Sequence, residues 1–302
     1  MPSRPTALLL AALLAPPASA HTLDEVPRLA VMSAFEPEWE ALRDSLEQPE
    51  EHREDGALWV TGLLQGRPVV LVLSGISMVN AAMTTQRTLD RFAVEGIVFS
   101  GIAGGVDPAL AIGDVVIPER WGPYLDAAFA RETEGGYALP PWMEPSAFAP
   151  FGMIHTLGVT VLREGIEEPE PRFWFPAHEP WLAVAREVAS GAALEDCGPE
   201  GACLSEAPEV VVGGSGVSGS VFVDNAAFRE HVFDVFEARV LDMESAAVAQ
   251  VAYAGGVPFI AFRSLSDLAG GGGAENEMPV FMGLAATNAA AVVRAFVAAL
   301  PE

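Results

Sequence analysis

The sequence has few basic residues, few histidines and only two cysteines, and each shortage excludes a class of function. It carries 16 basic residues against 41 acidic ones, which gives a formal net charge of −25. A surface this acidic repels nucleic acid and anionic lipid, so we expect no nucleic-acid partner. The five histidines are scattered without the spacing of metal ligands, so we expect no metal site. The sequence also lacks a P-loop and a G-x-S-x-G turn.

The two cysteines, Cys197 and Cys203, lie close together in the segment CGPEGAC. Two thiols cannot complete a structural zinc site, and no histidine lies near them in sequence. In an exported protein such a pair predicts a disulfide, whereas two free thiols in a loop would fit the cytoplasm better.

The first 20 residues, MPSRPTALLLAALLAPPASA, are typical of a secretory signal. Arg4 precedes an apolar run over 7–15, and the ASA before His21 fits a small-residue cleavage site. The run is too short to cross a bilayer as a stable helix, and a buried N-terminal helix is the alternative. We expect export to the periplasm or the exterior. No later stretch is long and apolar enough to be a membrane helix, so we expect no membrane contact after the signal is cleaved.

Apolar strands alternate with helical segments in two parts of the chain. The pattern predicts strands at 28–34, 58–64, 68–73, 96–100, 112–118, 209–212, 238–241 and 257–262, and helices at 36–46, 79–89 and 279–300. This alternation predicts an α/β fold in which a central parallel or mixed sheet is flanked by helices in three layers. We expect one domain over residues 21–302.

Residues from about 119 to 208 interrupt this alternation. The segment is rich in Pro, Gly, Glu and aromatic residues, and four of the six tryptophans lie in it. A loop of this length in a compact domain is often a functional insertion or a lid. A pocket wall and a contact between subunits both remain open.

Two acidic clusters follow two predicted strands that one short helix joins. Asp242 and Glu244 come after the first strand, and Asp267 ends the run RSLSD after the second. Helix capping would explain one such residue, but two clusters at the carboxyl ends of strands predict a ligand site at that edge of the sheet. Glu38 follows the first strand of the chain closely enough to lie at the same edge.

Two glycine-rich segments, at 101–105 and 214–219, follow predicted strands, and Ser77 lies close to a glycine. GIAGG (101–105) predicts a tight turn at the end of a strand, where Gly104 lets the backbone approach a ligand closely. GSGVSG (214–219) fits the dinucleotide-binding fingerprint, but the SVFVD that follows is strand-like where the fingerprint needs a helix. We therefore expect a glycine-rich turn beside a cleft. Ser77 in GISMVN has no triad context, and we interpret it as part of a turn.

Four motifs occur in order: SGIAGG, VFVDN, LDMESAA and RSLSDLAG. Together they resemble the purine nucleoside phosphorylase and methylthioadenosine/adenosylhomocysteine nucleosidase superfamily over about residues 28–118 and 209–300. The second half is similar to the exported plant branch, which includes bark storage proteins. The resemblance implies a nucleoside phosphorylase-like α/β fold, a purine nucleoside as the small-molecule partner, a homo-oligomer and no cofactor.

The resemblance also implies roles for individual residues. Glu38, within A-x-E-x-E, matches the general base, and Asp267 matches the acid that faces purine N7. The binding residues that it implies are Phe222 and Val223 at the base, Met243 and Glu244 at the ribose, and Arg263 and Ser266 near the acid. The chain departs from the family at Ile102, where nucleosidases often carry serine, and at Asp224, where asparagine is common.

The implied chemistry is cleavage of an N-glycosidic bond, which passes through an oxocarbenium-like sugar. Glu244 can stabilise that positive charge. A protonated Asp267 can neutralise the leaving purine, and an ionised Glu38 can deprotonate water.

Water and phosphate are the two possible nucleophiles. Bacterial phosphorylases of the family carry an arginine where Phe99 stands here, and the acidic loop FEPEWE repels phosphate. We therefore expect hydrolysis. Phosphorolysis is the alternative if Arg131, Arg163 or Arg172 supplies a cation. A second alternative is a non-catalytic storage or nucleoside-binding protein.

Overall fold

The computed structural model describes residues 22–54, 56–198, 201–272 and 275–301, so the predicted signal segment lies outside the described residues. Within them the chain forms six helices and eighteen strands. The helices are α1 (Glu36–Arg43), α2 (Met78–Arg91), α3 (Glu179–Ala189), α4 (Ala226–Phe236), α5 (Ser245–Ala254) and α6 (Met278–Ala299). The strands are β1 (Asp24–Ser33), β2 (Glu47–Glu54), β3 (Ala57–Leu64), β4 (Arg67–Leu73), β5 (Phe92–Gly105), β6 (Val115–Ile117), β7 (Arg120–Gly122), β8 (Ala127–Phe129), β9 (Arg131–Thr133), β10 (Gly136–Ala138), β11 (Ile154–Thr156), β12 (Val159–Val161), β13 (Glu170–Arg172), β14 (Phe175–Pro176), β15 (Val210–Val212), β16 (Ser215–Ser218), β17 (Ala238–Asp242) and β18 (Phe259–Asp267).

Twelve of the described strands form one mixed sheet. Its main order is β14-β7-β16-β17-β5-β1-β4-β3-β2, and β18, β6 and β15 join it beside β5. The central strands β1, β4, β5 and β18 pair in parallel, so their carboxyl ends meet at one edge. β17 runs antiparallel to β5 and meets it at Gly104 and Gly105.

Helices cover both faces of this sheet because its central strands are apolar on both sides. Ala30 and Met32 of β1 pack on the face covered by α2 and α5. Leu29 and Val31, which alternate with them, pack on the face covered by α1, α3 and α6. A sheet buried on both faces is the usual consequence of parallel strands joined by helices. The predicted three-layer α/β fold with a central mixed sheet is therefore confirmed.

GIAGG is part of a strand, and the predicted tight turn is wrong. β5 continues through Gly105 because it pairs with β18 along residues 97–104. The glycines are needed for space. A Cβ at Gly101 would lie 2.1 Å from Arg263 Nη1, and one at Gly105 would lie 2.8 Å from Leu265 Cδ1.

The glycine-rich segment 214–219 is also mostly strand. Gly213 and Gly214 have positive φ and form a turn, but Ser215–Ser218 is β16. The predicted strand character of SVFVD is wrong, because residues 219–225 have no regular structure before α4 begins. No helix follows the glycines directly, which excludes the dinucleotide-binding geometry.

The segment 119–208 contains α3 and short strands. β7 and β14 extend the main sheet, and the pairs β9–β10, β8–β11 and β12–β13 form small sheets of their own. Cys197 and Cys203 are joined by a disulfide. Nearby, the fully buried Asn288 of α6 hydrogen-bonds the backbone N–H and C=O of Glu195, which fixes this part of the segment to the core.

The expectation that no later segment resembles a membrane helix is wrong. α6 has 22 residues, and an 18-residue window within it has a mean hydropathy of 1.7, which by length and composition alone would allow it to cross a bilayer. In the described chain its apolar face forms the core instead. Leu284, Val293 and Phe296 are buried, and the Phe296 ring lies 5.0 Å from that of Phe262 on β18.

Candidate active site

One cleft lies at the edge where β1, β5, β17 and β18 end. It encloses about 800 Å³, including space open to solvent. Eight of the nine residues that the sequence assigns to catalysis or substrate binding line it: Glu38, Gly104, Phe222, Val223, Met243, Glu244, Ser266 and Asp267. The ninth, Arg263, lies directly behind the wall. The sheet therefore brings together residues from distant parts of the chain, as the strand-end pattern predicts.

Arg263 is a fully buried cation behind three carboxylates. Its Nε lies 2.8 Å from Asp242 Oδ2 and donates to Ser245 Oγ at 3.0 Å. Its Nη1 lies 3.8 Å from Glu38 Oε1, and its Nη2 lies 3.8 Å from Glu244 Oε2. The guanidinium stacks 4.2 Å from the centre of the Phe99 ring. Phe99 therefore contributes a cation–π contact to this buried cation.

Glu38 is held by three backbone N–H groups. Ala34 N and Phe35 N donate to Oε2 at 2.7 and 3.4 Å, and Ile102 N donates to Oε1 at 2.8 Å. Burial raises the pKa of Glu38, whereas Arg263 and the three N–H donors act in the opposite direction by favouring the ionised carboxylate. The side chain therefore has one fixed orientation at the pocket wall.

Glu244 accepts fewer hydrogen bonds than Glu38 does. Its Oε1 accepts one hydrogen bond, from Ser77 N at 2.7 Å. Burial raises the pKa of Glu244 to about 8, and the nearby Asp242 adds to the rise, while Arg263 opposes it. A positive charge arising beside this carboxyl would favour its ionised form.

Asp242 combines helix capping, which the sequence analysis considers, with a place in the site. Its Oδ1 accepts from Glu244 N and Ser245 N, each at 3.2 Å, and so satisfies N–H groups at the start of α5. The hydroxyl of Ser218 donates to the same oxygen. Because Oδ2 pairs with Arg263, Asp242 connects the helix to the buried cation.

Ser77 is a site residue that our sequence interpretation missed. Its φ of 86° and ψ of 153° lie in a region that is essentially restricted to glycine. This conformation directs the Ser77 N–H at Glu244, and the hydroxyl lies 2.8 Å from Ser220 Oγ across the mouth of the cleft. The available sequence signal was its position directly after β4 and before α2, at the same sheet edge as the acids.

Asp267, at the end of β18, lies apart from the arginine. Ala269 N donates to its Oδ1 at 2.8 Å, and Ser266 Oγ lies 2.9 Å from its Oδ2. Burial raises the pKa of Asp267, although these hydrogen bonds lower it. The bare backbone of Gly104 leaves room beside the acid, since a Cβ there would lie 3.3 Å from Asp267 Oδ1.

None of the three arginines considered as phosphate ligands reaches the cleft. The guanidinium groups of Arg163 and Arg172 lie 4.6 and 4.3 Å from the centre of the Tyr253 ring. Tyr253 is near the far end of α5, about 12 Å along the axis from Ser245. Arg131 is exposed in the β9–β10 hairpin. Among the described residues, no basic side chain lines the cleft.

The described ranges also contain no group of three or more His, Cys, Asp or Glu side chains arranged to hold a metal ion. The groups at the cleft that can act chemically are its carboxyl groups and hydroxyls, with the buried arginine behind them.

The sequence matches the model of the phosphorylase superfamily over residues 28–298. A 5′-methylthioadenosine/S-adenosylhomocysteine nucleosidase from Bacillus cytotoxicus is 32% identical over 248 residues, which cover 80% of this chain and 87% of that protein.

Solved structures share the fold. A nucleosidase of the same name from Neisseria meningitidis, in complex with methylthio-immucillin-A, has a TM-score of 0.68 at 27% identity, covering 90% of this chain and 99% of its own. Another from Colwellia psychrerythraea, in complex with adenine, has a TM-score of 0.67 at 25% identity, covering 92% of this chain and 97% of its own. The futalosine hydrolase of Helicobacter pylori has the same fold, with a TM-score of 0.68 at 22% identity, covering 91% and 99%.

The raised pKa of Glu244 predicts how stability varies with pH. The folded chain binds this proton more tightly than the unfolded chain, where the pKa is 4.5. The stabilisation is therefore complete below the unfolded pKa and is lost as pH rises through about 8. We expect the free energy of unfolding to fall across this window by up to about 1.4 kcal/mol per pH unit for this one group.

Urea unfolding at several pH values measures this slope. Glu244→Gln should make it shallower, while Glu36→Gln, which neutralises an exposed glutamate of α1, serves as the control. An unchanged slope in Glu244→Gln would contradict the assignment.

Proposed function

The chain belongs to the phosphorylase superfamily, and we propose that Glu38, Glu244 and Asp267 act together on one N-glycosidic bond. The protein is an N-glycosyl hydrolase that cleaves purine nucleosides. The observation that carries the assignment of residues is that three carboxyl groups from separate parts of the chain line one cleft, two of them 3.8 Å from the buried Arg263. Their different surroundings support three different roles.

Asp267 is the proposed general acid. Its raised pKa and its distance from the arginine both support a protonated carboxyl near neutral pH. Because Oδ1 accepts N–H bonds, the proton is carried on Oδ2. The Ser266 hydroxyl, which donates to Asp267 Oδ2 at 2.9 Å, can donate instead to Ala103 O, 3.4 Å away, when Oδ2 carries the proton. Transfer of that proton to purine N7 makes the leaving base neutral.

Glu244 is the proposed partner of the ribose. As the glycosidic bond breaks, positive charge develops on the sugar ring. That charge lowers the pKa of Glu244 from about 8 and so favours the carboxylate, whose interaction is then stronger in the transition state than in the ground state. Met243 lies beside it in the wall of the cleft.

Glu38 is the proposed base that activates water. Three N–H donors and Arg263 favour its ionised form despite its burial. The fixed carboxylate can accept a proton from a water molecule directed at the anomeric carbon. Phosphate in the same place would meet an acidic wall with no basic side chain among the described lining residues, which supports water as the nucleophile.

We propose that the substrates are purine nucleosides with an apolar 5′ group, such as a 5′-thio substituent. Phe222 and Val223 would contact the base from the rim of the cleft. Phe35, Ile76 and Met278 provide apolar surface for a 5′ group. The relatives that are named for 5′-methylthioadenosine and S-adenosylhomocysteine support this class.

We propose that the chain is exported to the periplasm or the exterior, as its resemblance to the exported plant branch implies. The signal-like residues 1–20 support export. The disulfide between Cys197 and Cys203 fits an oxidising compartment. N-terminal sequencing should find the mature protein beginning near His21, and an intact chain in the cytoplasm would contradict export.

We also propose a homo-oligomer whose contacts include the mouth of the cleft. Val79 and Phe222 there are 75% and 53% exposed. In the segment 119–208, Phe129 and Trp142 are 66% and 78% exposed. Large apolar side chains exposed in groups mark interaction surfaces. Sedimentation of the purified protein tests this, and a monomer at micromolar concentration would contradict it.

The acid role predicts a dependence on the leaving group. Asp267→Asn should lower kcat on a purine nucleoside at least about 100-fold, because the base would leave as an anion. It should affect a 4-nitrophenyl riboside far less, since nitrophenolate leaves without protonation. Steady-state rates on both substrates check this, with Glu38→Gln lowering both rates because water activation is common to them. If Asp267→Asn lowered kcat by the same factor on both substrates, the acid role would be excluded.

The hydrolytic role predicts independence of phosphate. With a purine nucleoside, the enzyme should release free base and free sugar at the same rate with and without inorganic phosphate. Product analysis by chromatography distinguishes the sugar from ribose 1-phosphate. Ribose 1-phosphate together with faster turnover would instead identify a phosphorylase.

A further inference from the structure

We propose that Asn276 is a positioning residue that fixes the acid Asp267 to the segment contacting the base, residues 221–225. This inference rests on the proposed acid role of Asp267. Asn276 lies in the connection between β18 and α6. It belongs to none of the four sequence motifs, and the family resemblance assigns it no role.

The orientation of the Asn276 amide follows from its contacts. Met278 N donates to Asn276 Oδ1 at 3.0 Å, in the first turn of α6. Only an oxygen can accept that bond, so the other end of the amide is the NH₂ group. Nδ2 then donates to Asp224 Oδ1 at 3.1 Å and lies 3.5 Å from Asp267 Oδ1. One amide thus connects α6, the segment 221–225 that is proposed to contact the base, and Asp267.

The backbone reinforces this connection. Asn225 N donates to Ala269 O at 3.1 Å, which joins the base segment to the loop after the acid. Gly270 has a φ of 86°, and a Cβ there would lie 2.3 Å from Asn225 N. The two segments are therefore in close contact, and the purine contacts at Phe222 and Val223 keep a fixed relation to the acid.

The chemical consequence concerns which oxygen of Asp267 delivers the proton. Ala269 N and Asn276 Nδ2 both direct N–H groups at Oδ1, so they stabilise the charge that remains there after transfer and leave Oδ2 toward the base. The Asn276 amide also separates Asp267 from Asp224.

Charged groups of both signs lie near this acid, and the cation among them is Arg229 of α4, which donates to Gly105 O at 3.0 Å and lies against Gly271 in the loop after Asp267. Glu277, before α6, raises the pKa of Asp267, and Asp242 and Glu244 line the same cleft. Loss of the amide donor should therefore raise the pKa of the acid further.

Two variants separate positioning from helix capping. Asn276→Ser and Asn276→Asp both retain an oxygen that can accept from Met278 N, but neither offers an amide donor to Asp267. The alkaline limb of kcat/KM for a purine nucleoside, where the acid loses its proton, should move to higher pH in both variants. It should move further in Asn276→Asp, which adds a negative charge. At neutral pH we expect kcat to fall about tenfold with little change in KM, and the loss should be smaller on a 4-nitrophenyl riboside.

Gln86→Ala is the matched control, because it removes an amide–carboxylate bond of 2.9 Å, to Asp90, on the exposed face of α2. Its pH profile and rates should equal those of the unaltered protein. If Asp267→Asn is inactive on purine nucleosides but both Asn276 variants keep the original alkaline limb, the positioning role is wrong while the proposed function stands. If Asp267→Asn remains active, the acid assignment itself fails, and this inference fails with it.

Discussion

The cleft depends on one buried cation placed among acids. Arg263 is excluded from solvent, pairs with Asp242 and lies 3.8 Å from both Glu38 and Glu244. Three carboxyl groups buried this close together would repel one another strongly without an opposing charge, and loss of one partner would leave charge buried and unpaired. The backbone glycine at position 101 is required by the same cation, since a side chain there would overlap its guanidinium group.

The buried cation also gives the acids different surroundings. Asp242 accepts hydrogen bonds at the start of α5, and three backbone N–H donors favour the ionised form of Glu38 although burial raises its pKa. Glu244 has one donor and a pKa of about 8. Asp267, which makes no contact with the arginine, is raised in pKa by burial and suits proton donation. The proposed mechanism needs opposite protonation states of Glu38 and Asp267, and their different surroundings within one cleft support that division.

Much of this arrangement follows from the sequence, because alternating strands and helices define the sheet and acids at strand ends define the site edge. What the sequence could not give depends on contacts between distant segments. In the sequence alone, the glycines of GIAGG indicate a turn. In the fold they belong to a strand, and Gly101 lacks a side chain because Arg263 fills that space. Ser77 and Asn276 act through a backbone conformation and an amide orientation that no local pattern encodes. The length and apolar composition of α6 would also fit a membrane helix, and only the contacts of the folded chain show that its apolar face lies in the core.

The most direct test of the account is a crystal structure with a purine nucleoside analogue whose base is joined to the sugar by a carbon–carbon bond that cannot be cleaved. The account predicts purine N7 within about 3 Å of Asp267 Oδ2 and the ribose hydroxyls within about 3 Å of Glu244. It also predicts that Glu38 faces the anomeric carbon across a water molecule. An analogue bound with N7 directed away from Asp267, or with its sugar out of reach of Glu244, would contradict it.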